Sequence, residues 1–217
     1  MLRERLSTAW FWLARWICRV LCILFFRLRT SGKENVPESG AFVLASNHQS
    51  YLDPVLCGVP LKRQLFFLAR DSLFSNWFFG RLLSSVKAMP VKRDGGDLAT
   101  MRKIIGKLKE GSGVCLFPEG TRSSDGRIAP FKPGFGLLCR RGKAGVVPVL
   151  IDGSFECWPR HRKLFSRGAI TVCYGRAITA KQVEGMKDDE LAKLVADTLR
   201  KMQNDRRLKQ GKEPYEY

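Results

Sequence analysis

The 217 residues contain two histidines, His48 and His161. The first lies in "NHQSYLD" (47–53), five residues before Asp53, and Pro54 follows. A carboxylate on one imidazole nitrogen fixes the tautomer and stabilises the imidazolium, leaving the other nitrogen to take a proton from a hydroxyl. On an ideal helix, residues five apart lie about 140° out of register, so a regular helix would not pair these two. A turn between them would, if Asp53 is a helix N-cap and Pro54 the first helical residue. The spacing by itself fits a catalytic pair and a loop histidine with a capping aspartate equally well.

A second group of reactive residue types is "FPEGTRSSDGR" (117–127). Gly120 permits a tight turn, and Thr121, Ser123 and backbone N–H groups are donors suited to phosphate oxygens. Arg122 can grip phosphate bidentately through its planar fork. Glu119 is most simply an acceptor that orients the loop or Arg122. A surface turn held by a salt bridge is the plainer alternative. Arg93 in "MPVKRD" is a candidate second cation, and Lys132 in "FKPGFG" a weaker one. Two arginines would suit a dianionic phosphate monoester. No Gly-x-Ser-x-Gly elbow, Walker A loop or metal-ligand cluster occurs, and His161 in "WPRHRK" reads as a surface residue. A histidine base without a protein nucleophile points to attack by a substrate hydroxyl, with no acyl-enzyme and no metal.

These residues need elements to position them. Apolar runs at 41–48, 63–69, 86–93, 113–123, 144–153 and 169–175 read as strands. Helical patterns cover the segment from Asp53, the apolar stretch 72–84, and 133–142. In 96–111 Leu98, Met101, Ile104, Ile105 and Leu108 line one face, and 188–207 carries acids first and bases last. The alternation predicts an α/β class, with a mostly parallel-containing mixed central sheet flanked by helices. His48, Arg93 and the 118–123 loop each follow a strand directly. In open α/β sheets ligands collect at those carboxyl ends.

The amino-terminal segment, 1–33, is expected to associate with membranes, and 34–217 to form the α/β domain, with 30–40 as a linker. Three tryptophans and six arginines fall within the first 30 residues. In 9–28 Trp10, Leu13, Ile17, Leu21 and Leu24 share one helix face, while Arg15 and Arg19 interrupt the apolar run. The longest uncharged run within it, Val20 to Phe26, is far short of the ~20 residues that span a bilayer. This pattern suits a helix lying in the interface. The net charge of +18 calls for anionic partners. It permits a non-catalytic basic protein of membrane surfaces, but no nucleic-acid recognition signature accompanies it, so nucleic acid is not an expected partner. Seven cysteines fit neither a disulfide framework nor a zinc site and read as reduced thiols.

Taken together, these blocks resemble the PlsC-like 1-acylglycerol-3-phosphate acyltransferases, a glycerolipid acyltransferase family, over about residues 41 to 153. "NHQSYLD" is similar to the family's N-H-x4-D block, which implies catalytic positions for His48 and Asp53. "MPVKRD" resembles the second block, with Arg93 as the basic residue for the acceptor's phosphate, although Val91-Lys92 departs from the usual run before it. "FPEGTRS" is similar to the third, with Glu119, Gly120 and Arg122 at acceptor-binding positions. "VVPVLIDG" resembles the fourth at Val147 and Pro148. The resemblance implies acyl transfer from acyl-CoA or acyl-carrier protein to the free sn-2 hydroxyl of lysophosphatidic acid, giving phosphatidic acid. These co-substrates stand in place of any cofactor. Another lysophospholipid, a lyso-ornithine lipid or glycerol 3-phosphate are further acceptors within the class. An amino-terminal anchor is also implied, with the catalytic domain on the cytoplasmic face.

Overall fold

The segments that read as unbroken apolar runs are the middle of the sheet. The structure, a computed structural model, describes residues 2–77, 80–81, 87–91, 98–132 and 134–217. Among them, β1 (Arg29–Ser31), β2 (Phe42–Ser46), β3 (Leu65–Arg70), β4 (Ala88–Val91), β5 (Gly113–Leu116), β6 (Gly145–Asp152) and β7 (Thr171–Tyr174) form one sheet. Its order is β1-β7-β6-β2-β5-β3-β4. Every pairing is parallel except that of β6 with β7. The α/β class and the mixed, mostly parallel sheet are therefore as expected. β2, β5 and β6 are buried on both faces, which is why they read as continuous apolar runs rather than alternating ones.

Among the described residues, helices with defined bounds are α1 (Leu2–Phe26), α2 (Asp53–Gly58), α3 (Leu98–Lys109), α4 (Gly134–Arg141), α5 (Ser154–Cys157), α6 (Ala180–Glu184) and α7 (Asp188–Lys209). Side chains alternate across the pleat, so the sheet carries two cores. Val43, Val114, Val146 and Leu150 face Leu108, Leu138, Val195 and Leu199 of α3, α4 and α7. Phe42, Leu44, Cys115, Val147 and Ile151 face Leu56 of α2 and Cys22 and Phe26 of α1. Leu98 departs from the expected core stripe of α3. It is 67% exposed, because it begins the helix well before Ile104 and Leu108, the residues buried against the sheet. All seven cysteines are free thiols, five of them buried.

The stretch 30–40, expected to be a linker, contributes structure. Arg29 to Ser31 pair with Thr171 to Cys173 as β1, and a 3-10 turn spans Lys33–Asn35. A polar edge strand of three residues has no apolar pattern to betray it. It follows α1 directly, and the amides of Arg29 and Ile170 stitch the end of α1 to β7.

α1 has two faces. Arg15, Cys22 and Phe26 point to the domain: Arg15 Nε donates to Val59 O at 3.1 Å, and the other two are buried. Trp10, Leu13, Trp16, Ile17, Leu21 and Leu24 lie on the opposite side and are exposed. From Arg15 to Phe26, about 16 Å of helix at 1.5 Å per residue, α1 runs along the domain rather than away from it. By length and composition Ala9–Phe26 could cross a membrane, yet Arg15, one of its two interrupting arginines, is tied to the domain, while Arg19 is exposed.

Candidate active site

β2 delivers the chain to the site. Just past its end, the buried Asn47 side chain bonds both ways with β6, donating to Ile151 O and accepting from Ile151 N at 2.9 and 2.8 Å. That clamp fixes where the next residue leaves the sheet. His48 Nδ1 lies 2.9 Å from Asp53 Oδ2. The same oxygen accepts from the amides of Gln49 and Ser50 at 2.6 and 2.7 Å, and Oδ1 accepts from Ser154 Oγ at 2.8 Å. Asp53 is wholly buried and meets four donors. A carboxylate only accepts, so the bridging proton sits on Nδ1, and Nε2 is the nitrogen left to meet a hydroxyl.

Asp53 is not the N-cap of α2, as its place before Pro54 predicts. It is the first helical residue, and Leu52 caps without a side-chain bond. The carboxylate reaches back to the amides of residues 49 and 50 instead of forward into the helix. Closing that tight turn is what brings residues 48 and 53 together despite their helical mismatch. Ser154 opens α5 immediately after β6 and its turn, and β6 neighbours β2, so topology supplies the fourth donor.

The His48 ring stacks on Phe117, which follows β5, with centroids 4.1 Å apart and planes at 21°. Glu119 then ties the two loops together. Its Oε1 accepts from His48 N at 2.7 Å and its Oε2 from Ala129 N at 2.9 Å. In return, Ser123 N donates to His48 O at 2.7 Å. Glu119 is therefore a brace within the protein, with both oxygens engaged by backbone amides rather than turned to a ligand. Burial pushes its carboxyl up to about 7, against the pull of the Ala129 and His48 amides. The folded protein thus holds this proton up to about pH 7, whereas an unfolded glutamate releases it near 4.5. Stability should fall as pH rises through that window, by up to about 3 kcal/mol. Glutamine copies the protonated form, so urea midpoints at about pH 5 and about pH 8 should differ less in Glu119→Gln than in the parent.

Gly120, at φ +73°, turns the loop, and a Cβ there would strike the Lys132 side chain, whose Nζ would lie 2.7 Å away. Lys132 is held in place by its amide bond to Pro118 O. The weaker cation of the sequence thus belongs to the loop. The Arg122 guanidinium lies 3.7 Å above the Tyr51 ring, and its Nη1 is buried with no hydrogen-bond partner. An orphaned buried donor is costly unless a ligand meets it. Thr121 is exposed at the turn. Ser123, expected to donate to phosphate, is otherwise engaged. Its hydroxyl donates to Asp125 Oδ1 and accepts from Gly126 N, both at 3.0 Å, so it shapes the loop. Arg93 lies outside the described residues, as does part of 72–84.

Further supports come from parts of the chain that carry no motif. Gly126 O accepts from two buried side-chain amides, Gln49 Nε2 and Gln203 Nε2 of α7. Gln203 Oε1 in turn accepts from Tyr217 OH, which also receives Ile128 N at 3.3 Å. The carboxyl-terminal tail thereby buttresses the 117–132 loop from behind. No sequence spacing announces this, because the partners meet only through packing of α7.

Known acyltransferases resemble this chain in sequence and fold. A family model described as Acyltransferase matches residues 27–152. The chain is 31% identical over 161 residues to a 1-acyl-sn-glycerol-3-phosphate acyltransferase of Bacillus subtilis strain 168, covering 74% of this chain and 78% of that one. It is 31% identical over 170 residues to a chloroplastic 1-acyl-sn-glycerol-3-phosphate acyltransferase of Arabidopsis thaliana, covering 77% of this chain and 46% of the relative. The crystal structure of the 1-acyl-sn-glycerophosphate acyltransferase PlsC from Thermotoga maritima superposes with a TM-score of 0.80 at 26% identity. That match covers 92% of this chain and 80% of the other.

Proposed function

Because this chain belongs to the acyltransferase family, we propose that it moves a fatty acyl group from a thioester, acyl-CoA or acyl-carrier protein, to the sn-2 hydroxyl of lysophosphatidic acid. Asp53 holds His48 through Nδ1. His48 Nε2 takes the proton of the hydroxyl as that oxygen attacks the thioester carbonyl. The C–O bond forms, the C–S bond breaks, and the imidazolium returns its proton to the leaving thiolate. Asp53 stabilises the imidazolium in between. The thioester carries its own activation, so the proposed step uses no metal, no further cofactor and no acyl-enzyme.

The observation that carries this reading is Arg122 Nη1, a buried donor without a partner, on a loop bonded to the carbonyl of His48. Arg122, stacked on Tyr51, and Lys132 beside Gly120 supply cations for the acceptor's phosphate, with Thr121 at the turn. Arg93 is proposed to add a third. Holding the phosphate fixes the hydroxyl near the base, which is a positioning effect and should appear in kcat/KM. Arg122→Ala is expected to raise the KM for lysophosphatidic acid about ten- to a hundredfold. It should leave the slow acylation of monoacylglycerol, which lacks the phosphate, unchanged. Unaltered discrimination between these two acceptors in the variant would sink the reading. Gln203→Ala, which removes the bonds to Gly126 O and from Tyr217 OH behind the loop, is expected to raise the same KM about fivefold with kcat kept.

α1 is proposed to lie in the membrane interface with its exposed face in lipid. Arg15, on its other face, is already engaged by the domain. The catalytic domain then sits at the cytoplasmic surface, where acyl thioesters are found.

A further inference from the structure

We propose that the segment 159–167, between α5 and β7, is a second membrane-contact element that binds an anionic phospholipid surface beside the active-site rim. It builds on the membrane attachment proposed above. The segment reads "PRHRKLFSR": four Lys or Arg, one His and no carboxylate. At its tip Leu164 is 78% exposed, more than any other large apolar side chain among the described residues, and Phe165 is 46% exposed. Single exposed apolar residues are ordinary. Two adjacent ones ringed by unopposed bases match a lipid boundary, where acyl chains take the apolar tip and anionic head groups the cations. Among the described residues Arg160, Lys163 and Arg167 form no ion pair.

The tip is built rather than loose. Trp158 Nε1 donates to Arg162 O, Arg162 Nη1 to Ser166 Oγ, and Ser166 N to Cys157 O. It is also continuous with both the anchor and the site. Phe165 packs edge-on against Phe25 and Phe26 of α1, with centroids 5.8 and 5.6 Å apart, and Arg167 lies 5.3 Å from the Phe25 ring. On its other side Phe165 meets Trp158 at 5.8 Å, Trp158 meets Tyr51 at 5.3 Å, and Tyr51 underlies Arg122. An aromatic ridge therefore runs from the end of the membrane helix, past the basic tip, to the loop proposed to hold phosphate. An anionic lipid surface docked on the tip lies at one end of that ridge.

The test uses the full chain and co-flotation with vesicles, read without turnover. One vesicle set is phosphatidylcholine alone, and the other contains phosphatidylglycerol as well. The parent should prefer the anionic vesicles. Arg160→Gln with Lys163→Gln should reduce affinity for them about tenfold and leave binding to phosphatidylcholine unchanged. Leu164→Ser should weaken binding to both. Lys181→Gln with Lys193→Gln removes the same charge from α6 and α7, which pack on the other face of the sheet, and should change nothing. The proposal is overturned if the 160/163 variant keeps the parent's preference, or if the 181/193 variant loses as much. Acylation of a short-chain, monomeric lysophosphatidate without vesicles should be unaffected by the 160/163 change. A parent that shows the localised vesicle preference but no acyl transfer would overturn the functional reading and support this one.

Discussion

Asp53→Asn is expected to reduce kcat by about 10³- to 10⁴-fold with little loss of stability. Asparagine matches the shape of the site. Its carbonyl oxygen can replace Oδ2, accepting from Gln49 N, Ser50 N and His48 Nδ1, and its amide can donate to Ser154 Oγ. What it cannot replace is the negative charge opposite an imidazole that becomes cationic when it takes the hydroxyl's proton. Asp53→Ala differs, because it leaves two backbone amides buried without acceptors, at about 1–3 kcal/mol each. The alanine variant should therefore lose several kcal/mol of stability as well as activity. Urea denaturation beside steady-state kinetics separates the two. Equal destabilisation by both substitutions would mean that the amide oxygen does not replace Oδ2 in the turn, and a fully active asparagine variant would make the carboxylate a turn-former only and remove its charge from the account.

The fold was legible where burial is two-sided. The runs in β2, β5 and β6 are apolar without alternation because helices cover both faces, and that pattern fixed the class and pointed to strand ends. The pairing of His48 with Asp53 was half legible. Residue types and Pro54 marked the turn, but a cap looks forward into its helix, whereas this carboxylate looks back to Gln49 and Ser50. β1 was invisible, since an edge strand of Arg-Thr-Ser has nothing apolar to show. That Ser123 bonds within its own loop was hidden for a similar reason. A hydroxyl in a phosphate-like loop can serve a ligand or its own turn, and the type is the same in both. Ser154, Gln203 and Tyr217 reach the site only through the adjacency of β6 with β2 and the packing of α7, which sequence distance conceals. Their effects are structural supports to groups the sequence did mark.

His48→Ala should have the largest effect on kcat. The imidazole is the group proposed to accept the acceptor's proton, with Nδ1 committed to Asp53 and its ring stacked on Phe117. General-base catalysis is worth about 10²- to 10⁴-fold, and the orienting carboxylate loses its purpose when the base is gone, so a loss near about 10⁴-fold is expected. The acceptor's phosphate is proposed to be held elsewhere, by Arg122 and its neighbours, so its affinity should survive. The backbone bond from His48 N to Glu119 is also retained, which keeps the loops joined. The most direct test is the initial rate of labelled phosphatidic acid formation from lysophosphatidic acid and acyl-CoA by purified His48→Ala and parent proteins. Product formed about 10⁴-fold more slowly than with the parent, from a folded variant, is the predicted result. Turnover like that of the parent would contradict the assignment of His48 as the base.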